Sequence, residues 1–256
     1  MSVFETESKC RLLTIPASHF CEKARWGLER AGISFVEERH LPGFHLFRAV
    51  LIARQTTVPV LRAPGLVLGQ STQILRYSDL KLSEGEKLFP QEIGNLVAQL
   101  TDELDRGLGV AGRLWLYSYL LDKPFLLCKM SSDHPVPRFE RWLVPVLVLV
   151  TRPFFRHRLK LKQASRGSAK GQIDTILDAV AAMRRDGRRY LFGDRFTAAD
   201  LTFAALAAPV LFPRGYGVAL PSLEDLPDEM RLQIQRWRSH PAGIFAQRLY
   251  DERRGF

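Results

Sequence analysis

Apolar residues up to Lys81 come in short clusters separated by turn-forming residues, a pattern that predicts alternating strands and helices. Arg11 to Ile15 is a short apolar run ending at Pro16 and reads as a strand. After Ser18, Phe20, Ala24, Leu28 and Ala31 fall on one helical face at spacings of four, four and three. Gly32 then supplies a stop, because glycine readily takes the left-handed conformation after a helix. A second strand is expected at Ser34 to Glu38, followed by a loop around Leu41-Pro42-Gly43 and a weak helical segment to about Ala53. Val58 to Leu61, the turn Ala63-Pro64-Gly65 and Leu66 to Leu68 suit a β-hairpin, and Gln70-Ser71 opens a helix with Ile74, Leu75 and Ser78 behind it. The predicted order is β, α, β, α, β, β, α.

From about Gln91 no convincing strand remains. Leu96, Leu100, Leu104, Leu108 and Ala111 repeat at helical spacing, as do Ile173, Ile176, Leu177 and Val180. Phe196-Thr197-Ala198-Ala199-Asp200-Leu201 is a strong helix start, with Thr197 as N-cap, Asp200 in the capping-box position and Phe196 facing Leu201 as a staple. The segment Lys81 to Pro90, rich in Glu and Lys and closed by proline, reads as a linker. It divides the chain into an α/β domain at 1–84 and an all-helical domain at 91–256.

Composition adds few constraints. At 256 residues, 46% apolar and 25% charged, the chain has the make-up of a soluble globular protein. Met1 to Lys9 is polar and acidic and does not read as a secretory signal. Three cysteines, Cys10, Cys21 and Cys128, are too few and too irregular for a disulfide framework or a zinc site, so a reducing, cytoplasmic setting and no metal are expected. The net charge of +10 is concentrated: between Arg138 and Lys170 nine Lys or Arg face one acid, Glu140.

Ser18-His19-Phe20-Cys21 carries the most chemical information. A hydroxyl at a helix start sits beside unpaired backbone N–H groups and the positive end of the helix dipole, a place that favours an anion such as a thiolate. The same serine also serves as an ordinary N-cap. Cys21 lies one turn later on the same side and reads as a buried structural thiol, while His19 reads as a solvated helix-start histidine. Gln70-Ser71 offers amide, hydroxyl and backbone donors that could hold a carboxylate, or a simple cap.

Together, the Ser18-x-x-Cys21 helix start, Val58-Pro59, Gln70-Ser71 and the Thr197-x-x-Asp200 box in a helical second half resemble a cytosolic glutathione transferase of the serine type. The resemblance implies a thioredoxin-like N-terminal domain joined to an all-α C-terminal domain, with glutathione as co-substrate and a homodimeric, cytoplasmic detoxification enzyme. It implies that Ser18 is the catalytic residue that stabilises the glutathione thiolate. Phe20, Val58, Pro59, Gln70 and Ser71 would bind glutathione, with Val58-Pro59 cis and pairing with the cysteinyl moiety, and Gln70-Ser71 gripping the γ-glutamyl carboxylate. The same thiolate serves conjugation, peroxide reduction and isomerisation, whereas deglutathionylation ordinarily uses a cysteine where this chain has Ser18. A hydrophobic electrophile is expected against helices around Leu104 to Tyr119 and the C-terminal region. No pattern in Leu41 to Arg54 marks the residues that hold the glycine carboxylate.

One segment departs from the resemblance. Asp122 to Gly171 is unusually long, and its apolar run Trp142 to Val150 precedes the basic stretch through Arg166. Nine apolar residues fall short of the about twenty needed to span a bilayer. A buried helix with a solvated basic face is one expectation; an anionic membrane surface met by Trp142, Phe154, Phe155 and the basic side chains is another. Nothing base-reading accompanies the charges, which ranks nucleic acid last. The competing function is therefore a non-enzymatic glutathione-fold binding or scaffold protein, peripheral to a membrane through 138–170.

Overall fold

A computed structural model describes residues 10–121, 123, 135–143, 146 and 163–253. Alternation within β1 (Cys10–Thr14) sends Cys10 and Leu12 to one face of a sheet and Leu13 to the other, so both faces demand cover. On the first face Cys10, Leu12, Leu61 and Ala63 pack with Ala24 and Leu28 of α1 (His19–Arg30) and Ile74 of α3 (Ser71–Asp79). On the second face Leu13 and Val60 pack with Ala49 and Ile52 of α2 (His45–Ala53). The strands β2 (Phe35–Arg39), β3 (Val60–Ala63) and β4 (Leu66–Leu68) complete the sheet in the order β2-β1-β3-β4, with β1 parallel to β2 and antiparallel to β3. This is the thioredoxin-like arrangement that the resemblance implies. Gly32, at φ +61, ends α1 as expected.

Beyond the connecting segment at 80–93, the described residues are helical: α4 (Gly94–Arg106), α5 (Leu108–Leu120), α6 (Gln163–Met183), α7 (Ala198–Leu211), α8 (Asp228–Ser239) and α9 (Pro241–Arg253). Helix α7 is their axis. All fourteen of its residues are buried, and it packs against α1, α4, α5, α8 and α9. Its alanines leave room for those neighbours to approach, and its start is pinned by the predicted box: Asp200 accepts from the Thr197 N–H, the Thr197 hydroxyl and the Leu191 N–H, each at 2.8 Å.

Two expectations need correction. The repeat from Leu96 to Ala111 is not one helix, because the chain breaks at Gly107 (φ −87, ψ −82) and restarts as α5. Leu96 is 56% exposed, and Val97 takes the buried position instead. The hairpin's first strand also begins at Val60, later than the expected Val58. Residues 144–145 and 147–162, with most of the apolar run and the basic stretch, lie outside the described residues, as does Cys128. Among the described residues no helix is long and apolar enough to cross a membrane.

Asp200→Ala strands three buried donors at the end of the central helix. It is expected to lower unfolding stability by roughly 2–4 kcal/mol, read as a fall in the urea midpoint at unchanged slope.

Candidate functional site

Strand register decides which loops meet. Thr14 lies beside Arg39, Leu13 opposite Val60, and Leu61 opposite Leu68. The segments after β1, before β3, after β4 and after β2 therefore leave the sheet at the same end. That end gathers Ser18, Val58-Pro59, Gln70-Ser71 and the loop 40–44.

Ser18 is the N-cap of α1, in extended conformation, and its Oγ accepts a long bond from the Cys21 N–H at 3.4 Å. The cap uses an oxygen lone pair, so the hydroxyl proton remains free to donate outward. Cys21 is fully buried; burial pushes its thiol up to about 11, although Arg25 and the Ser18 bond pull the other way. This is the inert structural thiol that was expected.

His19 is a correction. It is buried rather than solvated, and its Nε2 bonds the Gly109 carbonyl of α5 at 2.9 Å. Burial lowers its pKa to about 3, with Arg113 adding to the effect and the Gly109 bond opposing it, so the ring is neutral. Phe20 lies against the same point. A Cβ on Gly109 would sit 2.6 Å from the Phe20 ring, so any larger residue there would have to displace that ring.

The turn before Ser18 is held by its carbonyls. Arg25 Nη2 donates to Pro16 O at 2.6 Å, and the Tyr216 hydroxyl donates to Ala17 O at 3.1 Å. Arg25 also bonds Glu22 at 2.6 Å and Glu37 at 2.7 Å, and Glu37 accepts from Thr14 at 2.6 Å. Glu22 in turn accepts from the Gly217 N–H and from Arg253. Burial alone would raise the Glu37 carboxyl, but Arg25, Arg39 and Thr14 outweigh it and hold the group below its ordinary range.

The Val58-Pro59 bond is cis, with Pro59 buried and Val58 half-buried. Gln55 ties this loop to the start of α3, donating to Thr57 O at 2.8 Å and Gly69 O at 2.7 Å. Gln70, exposed and extended, is the N-cap of α3 without a side-chain cap bond; Ser71, buried, is the first helical residue. The cap is thus Gln70 rather than Ser71, which leaves the first N–H groups of α3 without a side-chain cap. Behind them Lys23 bonds Thr72 at 2.7 Å and Asp105 at 2.7 Å, locking α1, α3 and α4 together. Burial pulls the Lys23 ammonium below its usual range, and Asp105 only partly offsets this.

Glu140 is the residue that sequence reasoning missed. Fully buried, it accepts from the Leu41 N–H at 2.8 Å and contacts His40 Nδ1, while Phe139 meets Phe44 edge-on at 5.8 Å. The long insert thereby docks on the loop after β2. Glu140 was visible as the one acid in a basic window, yet nothing local pointed to a partner about a hundred residues away.

Comparison with known proteins decides the family. A model of the glutathione S-transferase N-terminal domain matches residues 12–83, and one of the C-terminal domain matches residues 152–231. The chain belongs to the glutathione S-transferase family.

Solved members share the fold at low identity. A theta class enzyme from Xanthomonas axonopodis pv. citri, crystallised with glutathione bound, is 19% identical over 94% of this chain and 96% of its own, with a TM-score of 0.55. A glutathione transferase from Phanerochaete chrysosporium is 14% identical over 96% and 97%, with a TM-score of 0.62. An unclassified glutathione S-transferase from Bombyx mori is 17% identical over 97% and 98%, with a TM-score of 0.53. No curated protein matches this transferase-family chain in sequence.

Arg25→Met removes the buried guanidinium that Glu22 and Glu37 share, leaving Glu22 to Arg253 and Glu37 to Arg39, and is expected to destabilise the protein by about 3–5 kcal/mol. It also alters the acid limb. Because Glu37 is depressed when folded, its contribution is present above its ordinary value of 4.5 and lost as pH falls through the lower folded value. Denaturation on acidification below that ordinary value should therefore show a flatter acid loss in the variant than in the parent.

Proposed function

We propose that this protein is a serine-type glutathione transferase. The observation that carries the reading is Ser18 at the N-terminus of α1 with its hydroxyl proton uncommitted, at the sheet end that also holds Pro59 and the start of α3. The glutathione sulfur accepts the Ser18 hydrogen bond beside the positive end of the α1 dipole, which favours thiolate. Phe20 contributes an unpaired N–H of the first helical turn. The backbone of Val58 pairs with the cysteinyl moiety. Gln70, Ser71 and the start of α3 hold the γ-glutamyl carboxylate. The thiolate attacks a hydrophobic electrophile held against α5 and the C-terminal helices, with rate gained from holding both reactants in one cleft. Peroxide reduction and isomerisation use the same thiolate. The enzyme works as a cytoplasmic homodimer.

Ser18→Ala is expected to lower kcat/KM with glutathione and 1-chloro-2,4-dinitrobenzene by about tenfold or more, and to raise the apparent pKa of the bound thiol by about one unit. Calorimetric titration with glutathione should give saturable heat for the parent; no heat would favour a scaffold that retained only the fold.

A second reading concerns the insert. Trp142 is 81% exposed, and Phe139 and Val146 are exposed beside Arg138 and Arg141, a composition suited to an anionic bilayer surface. Co-sedimentation with phosphatidylserine vesicles at low salt, lost on Trp142→Ser and at high salt, is the expected result; equal recovery without vesicles would exclude it.

A further inference from the structure

The insert reaches the sheet end through one buried carboxylate. Glu140 is fully buried on the helical segment 138–143, whose Arg138, Phe139, Arg141 and Trp142 are all exposed. A carboxylate withdrawn from water needs close partners, and among the described residues this one has the Leu41 N–H, at 2.8 Å, and His40 Nδ1. Both belong to the loop after β2. The segment is therefore seated only when that loop holds its present shape. In return, the N–H of the buried Leu41 finds this acceptor only when the segment is seated.

The loop passes the constraint on. Leu41 O accepts from the N–H groups of Phe44 and His45 at 3.1 and 3.3 Å, at the start of α2. His45 Nδ1 accepts from the Gly43 N–H at 3.2 Å, so the ring proton sits on Nε2, which donates to Thr56 O at 3.3 Å. Burial lowers the pKa of His45 against the bonds to Leu41 and Thr56, which keeps the ring neutral for this double role. Thr56 lies two residues before Val58-Pro59. A chain of hydrogen bonds thus runs from the insert to the cis-proline loop. Ser18 is held separately, by Arg25 and Tyr216 acting on the carbonyls of Pro16 and Ala17.

We propose that Glu140 is a positioning residue for glutathione, reaching from the insert to hold the loop after β2 and the cis-proline loop in their binding arrangement. This rests on the glutathione transferase reading above. Glutathione affinity and the seating of 138–143 are then linked, each raising the other by the same factor.

Calorimetry, steady-state kinetics and amide hydrogen exchange on the full chain test it. Glu140→Ala is expected to raise the Kd and KM for glutathione about fivefold or more, with kcat and the apparent pKa of the bound thiol unchanged, in contrast to Ser18→Ala. Phe139→Ser removes an exposed ring that meets Phe44, leaves the core intact, and should shift Kd in the same direction by less. In the parent, saturating glutathione should slow exchange at 138–143; in Glu140→Ala, exchange should quicken at 40–45 and 55–58. Parent-like Kd in both variants, a fall in kcat matching the loss of affinity, or no glutathione-dependent protection at 138–143 would overturn this proposal alone. No heat of binding with the parent would overturn the transferase reading and the proposal together.

Discussion

The Arg25 guanidinium is the reference point for the whole upper end of the sheet. Withdrawing such an ion from water costs several kcal/mol, a cost met only when geometry and hydrogen bonding are both satisfied. Here its donors reach Glu22, Glu37 and the Pro16 carbonyl, and Glu22 is itself engaged by Arg253 and the Gly217 N–H. One buried cluster thus joins α1, β2, the turn before Ser18, the segment after α7 and the last helix. A shift in any of them would leave a buried charge short of a partner. The position of the Ser18 hydroxyl is inherited from that constraint.

Helix α7 supplies the apolar counterpart. It is buried along its whole length and packs on α1, so the helical half is set against the helix whose first turn carries the candidate chemistry. Near that turn the two halves meet through polar contacts: His19 to Gly109 O and Tyr216 to Ala17 O. A neutral His19 is what this interface requires, since a buried imidazolium beside Arg113 would be unpaired. The start of α1 and the start of α5 are thereby held against each other.

The two faces of the sheet differ in kind. On the α1 side charges are buried and matched, as in the Arg25 cluster and the Lys23–Asp105–Thr72 lock. On the α2 side they are exposed and in excess, beside a helix whose outer surface shows Leu46, Phe47, Val50 and Leu51 to solvent. The first face is organised for a fixed geometry. The second carries open apolar surface beside its charges.

Features decided within a few residues were readable in the chain itself. The Ser18 cap, the Gly32 stop, the Thr197–Asp200 box and the strand-helix order through α3 follow from periodicity and local hydrogen bonding, which operate over one or two turns. The candidate site was readable as motifs, although the cis bond at Val58-Pro59 rested on family resemblance and not on any local signal. Other features needed the folded chain: the break at Gly107, the outward turn of Leu96, the burial of His19 under α5, and the reach of Glu140 to Leu41. Each depends on which distant surface arrives to cover a residue. Sequence specifies the faces an element offers, whereas register and packing, settled only when the chain closes on itself, choose the partner and with it the solvation of every charge.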